Sequence, residues 1–156
     1  MLSCRYAAAV TEATSELGPA SITIRRRIEW SDTDASGWYH NTAAFRFMEA
    51  AETSLLARLG FIDDVYGRHP RVHISADFLA TLRFHDLVDV ECRVSSVGTT
   101  SVTYDLEIRR RDQVFVRGRM VAVLLDRPGG DPVPWPDPYR RLLLESGPHP
   151  GDDLAW

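Results

Sequence analysis

The segment from Thr42 to Leu59 constrains the fold more than any other part of the chain. Ala44, Phe47, Met48, Ala51, Leu55 and Leu59 recur at three- and four-residue steps, the spacing of one face of an α-helix, and Gly60 supplies the stop. Ala43, Ala44, Ala50, Ala51 and Ala57 make that helix thin, so a second layer must pack closely against it. The downstream sequence offers a sheet for that purpose, as four extended runs near 71–80, 87–97, 100–111 and 113–126. Within them Val88, Val90, Cys92 and Val94 alternate with polar neighbours, and so do Val102, Tyr104, Leu106 and Ile108. The short spacing at Asp112-Gln113 predicts a two-residue hairpin that makes the last two runs antiparallel neighbours. A further run from Ile22 to Trp30, with Ile22, Ile24 and Ile28 on alternate positions, precedes the helix. The order is strand, long helix, then four strands, an α+β arrangement.

At 156 residues and 44% apolar composition, the chain fits one domain with a buried core. Residues 1–21 carry Ala, Ser, Thr and Glu around a single Gly-Pro step and predict a flexible arm. The domain proper is expected over 22–145. It closes with five prolines between Pro128 and Pro138 and a short helix from Tyr139 to Glu145, ahead of a mobile polar tail over 146–156. The longest apolar run, Met120 to Leu125, falls far short of the roughly 18 residues that a membrane-spanning helix requires. With no charged-then-apolar leader at the N-terminus, the expectation is a soluble cytoplasmic protein without a membrane partner.

Charge and cysteine content exclude several chemistries. All 18 cationic residues are arginine, against 22 acids, and a net charge of -4 does not suit a nucleic-acid binder. The absence of lysine removes Schiff-base chemistry and any Walker-type phosphate loop, and an arginine-only composition fits a GC-rich bacterial genome. Cys4 and Cys92 form no CxxC or Cys/His spacing, so they are expected as free thiols, with neither a disulfide framework nor a metal site.

The tract Asp32-Thr33-Asp34-Ala35-Ser36-Gly37 places two carboxylates in turn chemistry just ahead of the helix start near Asn41 and Thr42. Two readings stand side by side. In one, both aspartates only shape an Asx-type turn. In the other, one carboxylate is a nucleophile or general base, and the unsatisfied N–H groups of the helix N-terminus stabilise an oxyanion. The segment Arg27-Ile28-Glu29-Trp30-Ser31-Asp32-Thr33-Asp34-Ala35-Ser36-Gly37, followed by Phe45-Arg46-Phe47-Met48-Glu49, resembles the signature of the 4-hydroxybenzoyl-CoA thioesterase family. The resemblance continues through Phe84-His85-Asp86 and covers about residues 22–126. It implies the hot-dog fold, in which an antiparallel sheet wraps a long central helix. It further implies hydrolysis of an acyl thioester, on CoA or on an acyl carrier protein, with no metal or redox cofactor.

Carried over residue by residue, the resemblance makes Asp34 the catalytic carboxylate, Asp32 a turn-shaping partner, and the backbone N–H of Asn41 the oxyanion donor. Related bacterial enzymes carry a histidine at the Asn41 position, whereas here His40 stands one place earlier, as a loop residue contacting substrate or as a catalytic group. An Asp and a His near a thioester also suit an enoyl-thioester hydratase or dehydratase on the same fold, although Asp34 and His40 are six apart and lack that group's intervening Asn-Pro. A non-catalytic acyl-binding protein is the third possibility. Trp38 and Tyr39 are candidates either for core or interface packing or for lining the acyl pocket, and His73 for a structural role or for facing the same cavity. Glu49 and Glu52 lie on the central helix, where a different branch of hot-dog thioesterases places a catalytic Glu. Because Asp34 already matches, Glu49 is expected to pair with Arg46 at the three-residue helical step. The loop Ser96 to Ser101 lacks the basic residues that meet CoA phosphates in benzoyl-type relatives, which leaves Arg109, Arg110, Arg111, Arg117 and Arg119 as cationic candidates or as an ordinary solvated strand surface. A single unit leaves a sheet edge uncovered, so a homodimer or homotetramer with active sites at the subunit seam is expected.

Overall fold

The computed structural model describes residues 17–154. Its elements run β1 (Ser21–Arg27), a 3-10 turn (Trp30–Asp32), α1 (Asn41–Leu59), α2 (Ile62–Val65), β2 (Arg71–Phe78), β3 (Leu87–Val97), β4 (Ser101–Arg110), β5 (Gln113–Val123), α3 (Asp137–Glu145), β6 (Pro148–His149) and β7 (Asp153–Leu154). One sheet has the order β2-β5-β4-β3-β1-β6, with β7 also on β1. Every pairing among β1 to β5 is antiparallel, and α1 lies across one face of this sheet. This is the hot-dog arrangement, α+β in class.

The alternation read from the sequence becomes two sheet faces. Val88, Val90, Cys92, Val94, Val102, Tyr104, Leu106 and Ile108 are buried, as are Ala43, Ala44, Phe47, Met48, Ala51, Leu55 and Leu59 of the helix. The thin helix is matched by a thin strand position. Gly118 of β5 lies under Met48, and a Cβ there would stand 2.7 Å from the Met48 sulfur and 3.1 Å from the Ser75 carbonyl oxygen. Gly60 closes α1 in the left-handed conformation at φ 83°, which its missing Cβ permits.

The structure corrects several expectations. β1 stops at Arg27 because the Asp32 carboxylate accepts the Glu29 N–H at 2.9 Å and curls residues 30–32 into a 3-10 turn. The β4–β5 hairpin turns at Arg111-Asp112 rather than Asp112-Gln113, since Arg110 pairs with Gln113 and Arg111 takes φ 54°. Residues 146–154 are not a free tail. β6 and β7 run parallel to β1, the Arg25 N–H donates to the Asp152 carbonyl at 2.9 Å, and Arg58 pairs with Asp152 at 2.5 Å. At the other end of the chain, Ala20 is buried and Ser21 opens β1, while residues 1–16 of the expected arm, Cys4 among them, lie outside the described residues. Cys92 is a buried free thiol.

No helix among the described residues is long and apolar enough to cross a membrane.

Candidate active site

The two aspartates of the turn have separate environments. Asp32 is 4% exposed. Its carboxylate accepts from the Glu29 N–H and from Arg46 Nη2 at 2.6 Å, while its carbonyl accepts the His40 N–H at 2.7 Å. It therefore ties the turn to the first residues of α1. Arg46 is thus paired with Asp32 and not with Glu49, which instead faces Arg71 of β2 at 3.5 Å. The step from Arg46 to Glu49 is short enough for a pair, but the buried carboxylate of Asp32 draws the guanidinium more strongly than an exposed one.

Asp34 is exposed at the tip of the same loop. Its Oδ1 accepts the Ser36 N–H at 2.8 Å and also the Ser36 hydroxyl. These two bonds, the hydroxyl first, hold the carboxyl below the usual aspartate range, with a smaller contribution from His40. The backbone folds back on itself. The Gly37 N–H donates to the Asp34 carbonyl at 3.0 Å, and the Asp34 N–H donates to the Trp38 carbonyl at 3.0 Å. Gly37 makes this reversal at φ 78°. A bridge between Thr33 and Tyr39 closes the loop and delivers the chain to the start of α1.

That helix start has its donors in an informative state. The His40 Nδ1 accepts the Thr42 N–H at 3.1 Å, and the His40 carbonyl accepts the Ala43 N–H at 2.9 Å. Among the described residues the Asn41 N–H has no acceptor, so a donor at the positive end of the helix dipole is left for a ligand oxygen. His40 is therefore the N-cap of α1. An Nδ1 that accepts is unprotonated, and that nitrogen is committed to the helix.

The other expected residues divide. Trp38 borders the loop with the Arg83 guanidinium 4.5 Å over its ring, and it bridges to Arg83 in the β2–β3 connection. Tyr39 is buried with its ring 6.2 Å from Phe47, and burial pushes its phenol pKa up. It packs the loop onto the helix. His73 is exposed on β2 and paired with Val121, whereas the next residue, Ile74, pairs with the buried Met120. Strand alternation then puts His73 on the sheet face away from α1, and the structure does not bring it to Asp34.

One polar cluster was not assembled from the sequence, which singled out Glu52 only for its place on the central helix. A cavity of about 690 Å³ between α1, α2 and the start of β2 is lined by Leu56, Ile62, Val65, Glu52, His69 and Arg71 among others. Glu52 is 1% exposed and its carboxylate meets Arg71, with His69 Nδ1 at 3.8 Å. Burial raises the Glu52 pKa, and burial lowers that of His69 to about 4. The signal was available, because Glu52 occupies the apolar stripe four residues after Met48 and three before Leu55. Asp34, Asn41, Trp38, Tyr39, His40 and His73 do not line this cavity.

An antiparallel sheet packed on one long helix defines the hot-dog fold. Residues 37–116, just over half of the chain, match the thioesterase superfamily, and the chain belongs to that family as a thioester hydrolase. The match begins at Gly37, after the aspartate pair. The chain is 23% identical over 115 residues to an acyl-CoA thioesterase, YbgC, of Haemophilus influenzae, covering 70% of this chain and 85% of that one. Among solved structures it is similar to a 1,4-dihydroxy-2-naphthoyl-CoA thioesterase from Synechocystis, with a TM-score of 0.68, 23% identity and coverage of 79% and 95% of the two chains. It is likewise similar to a gentisyl-coenzyme A thioesterase, with a TM-score of 0.68, 22% identity and coverage of 78% and 98%.

Proposed function

We propose that the protein hydrolyses acyl-CoA thioesters, with Asp34 as the catalytic carboxylate and the Asn41 N–H as the oxyanion donor. The observation that carries this reading is that the loop leading into α1 holds an exposed carboxylate, kept ionised by Ser36, and the helix start seven residues later has an N–H without an acceptor among the described residues. Asp34 either attacks the thioester carbonyl, forming a mixed anhydride that water then opens, or removes a proton from the attacking water. In both routes the carbonyl oxygen gains negative charge, which the Asn41 N–H and the α1 dipole stabilise. The C–S bond breaks, the thiolate takes a proton, and the products are a carboxylic acid and a free thiol. The acyl-CoA thioesterases among the relatives support CoA as the carrier of the acyl group.

The working form is a homodimer. Among the described residues edge strand β2 has no neighbour on its outer side, and Val72, Ile74 and Phe78 on it and Tyr66 and Leu79 beside it are exposed. A second copy pairing there covers an apolar edge that would otherwise promote aggregation. The face of the sheet away from α1 carries the ion pairs Asp105–Arg119 and Glu107–Arg117, which favours leaving that face in water over stacking dimers into a tetramer.

The test is hydrolysis of a panel of acyl thioesters on CoA and on carrier protein, read by thiol release. Free thiol formed stoichiometrically with acid is expected. Hydration of an enoyl thioester without thiol release would replace this reading with the hydratase one.

A further inference from the structure

The chain treats the two flanks of its sheet differently. On β1, Ser21, Thr23 and Arg25 present backbone groups on the side away from β3, a row that another strand could pair with. Residues 146–154 cover that row. The Gly147 N–H donates to the Gly18 carbonyl at 3.0 Å, and the Ser21 N–H donates to the Gly147 carbonyl at 3.0 Å, so the segment is latched at its start. Farther along, the Arg25 N–H donates to the Asp152 carbonyl at 2.9 Å, and the Asp152 carboxylate pairs with Arg58 near the end of α1. Leu154 then packs against the core. The segment is a strap, held to β1 at both ends and to the helix at one.

Its residues suit a cover and not a strand to be extended. Pro148 and Pro150 have no N–H, so at those positions the strap offers no donor to a further strand. Asp152 and Asp153 place carboxylates along it, and charge at a sheet edge opposes pairing with another chain. Its two paired stretches, β6 and β7, are two residues each, too short to template a neighbour. Between them Gly151 lets the strap lie directly on β1. A Cβ there would stand 1.6 Å from the Thr23 carbonyl oxygen, so any larger residue lifts the segment. The other flank has none of this chemistry. β2 contains no proline over 71–78 and has no neighbour on its outer side among the described residues.

We infer that the strap over 146–154 is an edge guard, which occupies β1 in place of a second copy of this chain and confines self-association to β2. The surface it masks fits the β1 strand of another copy, since two such rows of backbone groups pair antiparallel about a twofold axis. A sheet with both edges open can add copies without limit. With one edge closed, pairing through the other ends after a single isologous contact. The guard concerns assembly and is independent of which thioester the enzyme cleaves.

The experiment places Gly151→Val in the full chain and follows its mass by sedimentation velocity across micromolar concentrations, while amide hydrogen exchange at Ser21 and Arg25 reports whether the strap has lifted. Exchange at Arg25 should quicken by about 10-fold or more, and the sedimenting mass should rise to about twice the native value or more, growing with concentration. Adding Thr23→Lys, at an exposed position on the bared strand, should return the mass to the native value, which separates edge pairing from aggregation of unfolded chains. Asp152→Ala, which keeps the backbone bonds and removes the Arg58 contact, repeats the comparison with less disturbance should the valine impair folding. A native mass in a variant whose Arg25 amide exchanges quickly would overturn the guard. So would slow exchange at Arg25 in Gly151→Val, or a larger species that Thr23→Lys leaves unchanged. A native protein that sediments as a monomer, with Gly151→Val associating, would uphold the guard and remove β2 from the proposed dimer.

Discussion

Acidification should destabilise the protein through His69. Its side chain is 7% exposed, its ring stands edge-on to Trp135 at 5.3 Å, and its Nε2 has no hydrogen-bond partner among the described residues. Burial, aided by the Arg71 charge, lowers its pKa from 6.5 to about 4. The unfolded chain therefore takes up a proton near pH 6.5 that the native ring refuses until about pH 4. The stability contributed by the neutral ring is full above 6.5 and is lost as pH falls toward 4. Between pH 7 and pH 5 this linkage amounts to about 2 kcal/mol, at 1.36 kcal/mol per unit of pKa shift. Glu52 acts in the opposite sense, since its raised pKa gives stability at low pH that is lost as pH rises through the shifted value. A comparison with His69→Gln, which cannot titrate, isolates the histidine. Urea unfolding at pH 7 and pH 5, at one fixed protomer concentration, should show the native protein losing about 2 kcal/mol more than the variant. The argument is refuted if the native protein gains on the variant at pH 5, which would mean that protonated His69 forms a charged pair with Glu52, or if the two lose equally.

Arg46→Met should cost about 2 kcal/mol in urea unfolding. It strips the buried Asp32 carboxylate of its guanidinium, and the exposure of Arg46 keeps the cost below the 3–5 kcal/mol of a fully buried pair. The same variant should slow turnover by loosening the Asp34 loop, and an unaffected rate would separate the two aspartates functionally. Val72→Lys puts a charge on the exposed β2 edge and should shift the protein toward monomer in analytical ultracentrifugation at micromolar concentration. A dimer that survives it unchanged would remove β2 from the interface.

Much of this architecture was legible because it is written in periodicity. The helix over 42–59 and the alternating strands near 87–97 and 100–111 follow from which residues recur on one face, and the observed elements agree closely. Features set by long-range pairing left no such trace. β6 and β7 are two residues each, too short for any alternation to register, and they exist because the backbone of β1 has unpaired groups on that side. The Arg46–Asp32 pair spans the turn and one helical turn beyond it, so a local helical rule assigned Arg46 to Glu49. At the candidate site the aspartate tract was visible as turn chemistry. The division of labour between a buried, paired Asp32 and an exposed Asp34 bonded to Ser36 depended on burial that residue types alone do not reveal. The sheet face that carries His73 was not legible for a different reason. The bulge between Arg71 and His73 shifts the register, and a one-residue shift moves a side chain to the other face.

The central claim, that the Asp34 carboxylate performs the chemistry, is tested most directly by the turnover of Asp34→Asn on an acyl-CoA that the native enzyme cleaves. The amide keeps the size and can still accept from Ser36, so the loop should persist, which the far-ultraviolet spectrum and melting temperature would verify. Loss of the nucleophile or base should lower kcat by about 100-fold or more. Near-native hydrolysis by Asp34→Asn, with His40→Ala abolishing it, would contradict the account and move the chemistry to the histidine that caps α1.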